Sequence, residues 1–149
     1  MEQPGPTVAV RGFSHLGITV TDLARSTAFY TEVFGFRVLY ENVEPAWKRV
    51  GLVLDSTVLE LFGPHPVGQA LEPIDMLYPV PYGRPKIALT VADVDAAHAA
   101  LTKRGVPLLG PVTETGRSRL LFALDPDGTP IQLQQFRDGQ HRLAAVFGH

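Results

Sequence analysis

His15-Leu16-Gly17-Ile18-Thr19-Val20-Thr21-Asp22 and Lys86-Ile87-Ala88-Leu89-Thr90-Val91-Ala92-Asp93 are two versions of one phrase, about seventy residues apart. A repeat decides the fold before any single element does, and this one continues. Gly35-Phe36-Arg37-Val38-Leu39 lies over Gly105-Val106-Pro107-Leu108-Leu109. Arg49-Val50-Gly51-Leu52-Val53-Leu54-Asp55 lies over Arg119-Leu120-Leu121-Phe122-Ala123-Leu124-Asp125, and Leu59-Glu60-Leu61 over Ile131-Gln132-Leu133. Four matches in one order, with small gaps, mark a duplicated unit.

Each unit reads as strand, helix, then three strands. The opening strands, His15–Val20 and Lys86–Val91, are short and rich in β-branched residues. Asp22 and Asp93 stand where a helix N-cap accepts free backbone N–H groups. Leu23, Tyr30 and Val33, then Val94, Ala97 and Leu101, recur at helical spacing. Gly35 and Gly105 follow, where a left-handed residue closes a last helical turn. Three strands are expected after each: Phe36–Val43, Lys48–Leu54 and Val58–Phe62, then Val106–Val112, Arg119–Leu124 and Ile131–Phe136. Asp125-Pro126-Asp127-Gly128 is a strong turn between the last two.

The chain, 1–149, thus divides into an N-terminal βαβββ module (12–63), a Pro-rich linker (64–85), a C-terminal βαβββ module (86–136) and a tail (137–149). The linker holds Pro64, Pro66, Pro73, Pro79, Pro81 and Pro85, which bar it from regular structure. A connection of this length reads either as a lid or as a strap along the core edge. The tail is expected to be partly loose.

Composition narrows the function. The 149 residues contain no Cys, which excludes disulfides, thiolate zinc sites and cysteine nucleophiles. A net charge of -2 offers no field for gripping a phosphate backbone, so nucleic acid is not an expected partner. No apolar run reaches bilayer-spanning length and no signal peptide opens the chain, so a cytoplasmic protein with no membrane partner is expected. No Walker loop, dinucleotide fingerprint or Ser-His-Asp spacing appears. A small organic molecule and a second copy of the chain remain as partners.

The doubled unit resembles the vicinal oxygen chelate superfamily, which includes glyoxalase I, methylmalonyl-CoA epimerase, extradiol dioxygenases, fosfomycin-resistance enzymes and bleomycin-resistance proteins. The resemblance rests on His15 to Asp22 with Phe29-Tyr30 and Phe34-Gly35-Phe36, on Leu59-Glu60-Leu61-Phe62, and on Asp125 to Leu133. It implies an α+β, glyoxalase-like fold in which two modules curl a mixed sheet into a ligand cup. It also implies a homodimer, because two-module members commonly complete their cups across a two-fold.

The resemblance further implies four metal-holding positions, here His15, Glu60, Lys86 and Gln132. His15 and Glu60 suit Zn, Ni, Mn or Fe. Lys86 is a poor ligand because its protonated amine has no free lone pair, and Gln132 offers only an uncharged carbonyl. The expected cofactor is therefore none, or a weakly held divalent metal on His15, Glu60 and Gln132. Within the cup, the Lys86 ammonium is a candidate to take the metal's electrostatic role beside Glu60; a structural ion pair is the plainer alternative.

On its own His15 reads as an ordinary strand histidine, and only its register with Glu60 and Lys86 makes it a catalytic candidate. Trp47, Phe62, Tyr78, Tyr82 and Phe122 are candidates to line an apolar pocket with stacking surface, although Phe62 and Phe122 also suit ordinary core. Arg119 is a candidate for an anionic substrate group or, equally, an edge-strand charge. Two functions stay open. One is an enzyme of lyase, isomerase or cyclase type acting on a carbonyl or hydroxyl substrate through His15, Glu60 and Lys86. The other is a binding protein that shelters an aromatic or polycyclic compound.

Overall fold

A computed structural model describes residues 4–63, 80 and 82–148 of the chain. The N-terminal module runs β1 (His15–Thr19), α1 (Leu23–Phe34), β2 (Arg37–Val43), β3 (Lys48–Leu54) and β4 (Thr57–Gly63). The C-terminal module runs β5 (Ile87–Thr90), α2 (Val94–Arg104), β6 (Thr113–Glu114), β7 (Ser118–Leu124) and β8 (Pro130–Phe136), followed by α3 (Leu143–Phe147). Each module is a four-stranded mixed sheet, in the orders β1-β4-β3-β2 and β5-β8-β7-β6. In both, the opening strand lies parallel to the last and the hairpin strands are antiparallel.

The helix ends follow the local chemistry. The Asp22 carboxylate accepts from Arg25 N at 3.0 Å, and Asp93 accepts from the amides of Asp95 and Ala96. Caps of this kind stabilise a helix by about 1 kcal/mol each. Gly35 and Gly105 close the helices at φ +78° and +79°, where a side chain would be strained.

Alternation along each strand sends one set of side chains to the helix side. Leu52, Leu59 and Leu61 of the first sheet and Leu121, Ile131 and Leu133 of the second share one core with Tyr30 and Val94. The turn between β7 and β8 locks the modules together through two carboxylates. The Asp125 carboxylate accepts from the Tyr30 hydroxyl at 2.7 Å and from the amides of Asp127 and Thr129. The Asp127 carboxylate accepts from the amide and hydroxyl of Thr21.

Burial raises the Asp125 carboxyl above the ordinary carboxylate range, against the hydrogen bonds from Tyr30, Thr129 and Asp127 that lower it. The folded chain therefore holds this proton more tightly than the unfolded chain. Its contribution to stability is complete below the unfolded carboxylate range and is lost as pH rises through the raised value. Tyr30→Phe strips the buried carboxylate of one donor and is expected to cost about 1–3 kcal/mol in urea unfolding.

Two expectations need correction. The strand expected at Val106–Val112 is reduced to an isolated bridge from Leu108 to Ala123, and β6 forms just beyond it. Pro107 and Pro111 lack ladder donors, and Gly110 turns the chain at φ +81°. In the tail, Arg142 pairs with Asp55, and the Arg117 guanidinium lies 4.4 Å over the Phe147 ring of α3. The second correction concerns phase. Glu60 pairs with Gly51 and Gln132 with Phe122, so Arg49 corresponds to Leu120 and not to Arg119. One residue of slip turns a side chain to the other face. Most of the linker, with its lid-or-strap alternatives, lies outside the described residues.

Candidate functional site

On the face of the first sheet away from α1, four residues form a row across the strands: Gly17, Glu60, Gly51 and Tyr40. Thr19, Phe62, Arg49 and Asn42 form the next row. His15 lies on the same face at the start of β1. The two glycines leave space beside Glu60, and the Tyr40 ring fills the space over Gly51, where a Cβ would overlap its carbons.

Glu60 is the centre of this arrangement. Its side chain is 6% exposed, and His15 Nε2 lies 3.2 Å from Oε1. The Tyr40 hydroxyl donates to Oε2, and Arg49 Nε stands 3.5 Å from the same oxygen. The Arg49 guanidinium also lies 5.6 Å from the centre of the Tyr40 ring, within cation–π range. With its amide oriented to suit its neighbours, Asn42 accepts from Arg49 Nη2 at 2.6 Å. Partial desolvation, then the hydrogen bond and charge of Glu60, raise the Tyr40 phenol above its ordinary value, so it remains a proton donor through neutral pH.

His15 is 45% exposed along its side chain, and its Nδ1 lies 2.7 Å from Ser14 Oγ. If Nε2–H is donated to Glu60, Nδ1 is the ring's acceptor. The result is an open imidazole aimed by a buried carboxylate.

The second sheet places Ala88, Gln132 and Phe122 in the equivalent row, then Thr90, Gln134 and Leu120. Gln132 Nε2 donates to Gln134 Oε1 at 3.1 Å, and Leu109 packs on Leu120 and Phe122. Lys86 is half-buried and immediately precedes β5. Phe122 and Leu120 occupy the places that Gly51 and Arg49 hold in the first module, so β7 presents apolar side chains where β3 presents a guanidinium.

The remaining candidates divide. Trp47 and Phe62 meet with ring centres 5.9 Å apart and form an aromatic shelf beside Arg49. Tyr82 is fully exposed, and Tyr78 lies outside the described residues. Arg119 is on the helix side, held by Asp95 of α2 at 2.6 Å and by Glu114 at 3.2 Å, not with Phe122 and Gln132. Tyr40, Arg49 and Ser14 were not among the sequence candidates. Alternation from Glu60 across β3 and β2 was the signal for the first two, and the misplaced phase hid it.

A divalent metal is not suited by these groups. Among the described residues, no three His, Cys, Asp or Glu side chains come together to hold one. Glu60 already answers to His15, Tyr40 and a guanidinium. Two firm ligands fall short of the three that catalytic zinc sites use.

Two modules of this build, with His15 opening β1 and Glu60 midway along the adjoining β4, define a glyoxalase-like protein. Residues 12–133 match the family model for the Glyoxalase/Bleomycin resistance protein/Dioxygenase superfamily, and the chain belongs to that family. It is 32% identical to a lactoylglutathione lyase of Salmonella typhimurium, over 87% of this chain and 96% of that protein. It is also 32% identical to the trypanothione-dependent glyoxalase I of Leishmania major, with TM-score 0.69 over 85% of this chain and 87% of that one. TnmS3, an antibiotic binding protein from Streptomyces sp. CB03234, is 27% identical with TM-score 0.65, over 87% and 99%. The family thus holds both enzymes and binders among proteins similar to this chain. No helix among the described residues is long and apolar enough to cross a membrane.

Proposed function

We propose that the chain is a small-molecule enzyme that moves a proton on a carbonyl or hydroxyl substrate, in lyase, isomerase or cyclase chemistry. The observation that carries this reading is the half-exposed His15 imidazole 3.2 Å from the buried Glu60 carboxylate. A general base needs an accessible nitrogen and a partner that fixes its tautomer. In this mechanism His15 Nδ1 takes the proton and Ser14 yields its hydrogen bond as substrate enters. Glu60 holds Nε2–H and balances the imidazolium that forms. The Lys86 ammonium polarises the substrate oxygen, and Gln132 and Phe122 line the facing wall. Return of the proton to another atom completes an isomerisation; its transfer to a leaving group completes an elimination. We place the enzyme in the cytoplasm as a homodimer whose cup joins one face from each module type.

Proton exchange tests the reading without a known product. Small α-hydroxyketones and β-hydroxyacids in D2O are expected to lose the α-proton signal when the protein is added. Lys86→Ala and Glu60→Gln are each expected to slow that loss sharply while the fold survives. An absence of exchange across the panel contradicts the enzyme reading.

The Trp47–Phe62 shelf favours a second reading, sequestration of a planar compound. Trp47 is the sole tryptophan of the chain, so its fluorescence reports stacking directly. Tight quenching unaffected by Lys86→Ala or Glu60→Gln, with no product, supports that reading instead.

A further inference from the structure

The free edge of β1 borders a cavity of about 480 Å³, lined among others by Gly17, Thr19, Gly83, Arg84 and Thr129. That volume lies in the range of small-ligand sites. Val20 donates its amide to Phe62 O of β4 at 2.8 Å. Alternate residues of a parallel strand turn their N–H groups to opposite edges, so Gly17, Thr19 and Thr21 direct theirs away from β4. The chain shows what this edge accepts. Thr21 N donates to the Asp127 carboxylate at 3.1 Å, and the Thr21 hydroxyl donates to the same group. Thr19 presents the same pair of donors two residues earlier, beside the cavity. Among the described residues, Arg84 is the one charged residue in the cavity lining, and its Nη1 is buried with no hydrogen-bond partner. An enclosed guanidinium donor without an acceptor is costly, and a charge-assisted bond from a ligand offsets that cost.

We infer that this cavity is a subsite for the carboxylate of a small organic acid, held by the Arg84 guanidinium and the Thr19 amide and hydroxyl. One cation with a planar fork matches a planar monoanion, and Asp127 supplies the precedent on the same strand edge. Gly17 shares a row with Glu60, and Thr19 shares one with Phe62. An acid anchored here extends along the open face towards both. Gly17 keeps that path clear, since a Cβ there would stand 3.1 Å from Phe62 Cε2. The anchor goes beyond the proton-transfer reading and holds whether or not bound ligand is turned over.

The test is an amide NMR titration of the full chain with sodium benzoate and with benzamide, its neutral isostere. Benzoate is expected to give saturable shifts at Gly17, Thr19 and Arg84 Nε. Benzamide is expected to bind about tenfold more weakly or worse, as is benzoate to Arg84→Gln. Equal binding of the two probes, shifts confined to other residues, or wild-type benzoate affinity in Arg84→Gln overturns the inference. The comparison of probes needs only the wild-type protein, so a misfolded variant does not blunt it. Absence of deuterium exchange bears on the proton-transfer reading alone.

Discussion

His15→Ala is expected to lower kcat/KM in the exchange reaction by about 10²- to 10⁴-fold, the range supplied by a positioned acid–base group. His15 is half-exposed and lies outside the shared core, so its removal leaves the fold intact and the loss reads on chemistry. Glu60→Gln has a different signature. It retains the shape but leaves Arg49 facing an uncharged amide and His15 without the carboxylate that aims it. A partner of this type acts through the base, so kcat is expected to fall more than KM rises. A variant lacking His15 with wild-type turnover would contradict the assignment outright.

Gly51→Ala is the second large effect, and it joins the fold to the site. The added methyl occupies the volume of the Tyr40 ring, across the β2–β3 pair. The ring must swing away, which breaks its hydrogen bond to Glu60 and its packing under Arg49. Overpacking of this kind costs about 1–3 kcal/mol, read as a lower urea midpoint at unchanged slope. Tyr40→Ala removes the obstacle, so the double variant is expected to be less destabilised than the sum of the singles. Strict additivity would show that the ring does not depend on the glycine.

Much of this fold is readable from local chemistry. Asp22, Asp93, Gly35 and Gly105 name the helix ends because caps and left-handed closures act within one turn. The doubled pattern predicts two modules, and His15 does meet Glu60. The faces of the hairpin strands were harder, because alternation fixes a period but not a phase. Leu54 pairs with Thr57 across a tight turn, whereas Leu124 pairs with Pro130 across a longer one. Counting from the aspartate of each turn therefore slips β7 by one residue relative to β3. That slip made Arg119 look like the partner of Arg49 and concealed the guanidinium at Glu60. The second strand of the C-terminal module failed for another reason: Val106 to Val112 has strand composition, yet its prolines remove the ladder donors.

The charge at Glu60 is the centre of the account. The sequence pointed to Lys86 as a cation in a metal's place, and the structure adds Arg49 directly against the carboxylate. An anion already answered by a guanidinium, a phenol and an imidazole has little to offer a divalent ion. Metal content of protein purified without chelator, measured by plasma mass spectrometry, tests this most directly. Far less than one Zn, Ni, Mn or Fe atom per chain is expected; one tightly held atom per chain, lost on His15→Ala, would overturn the role given to Arg49 and Glu60.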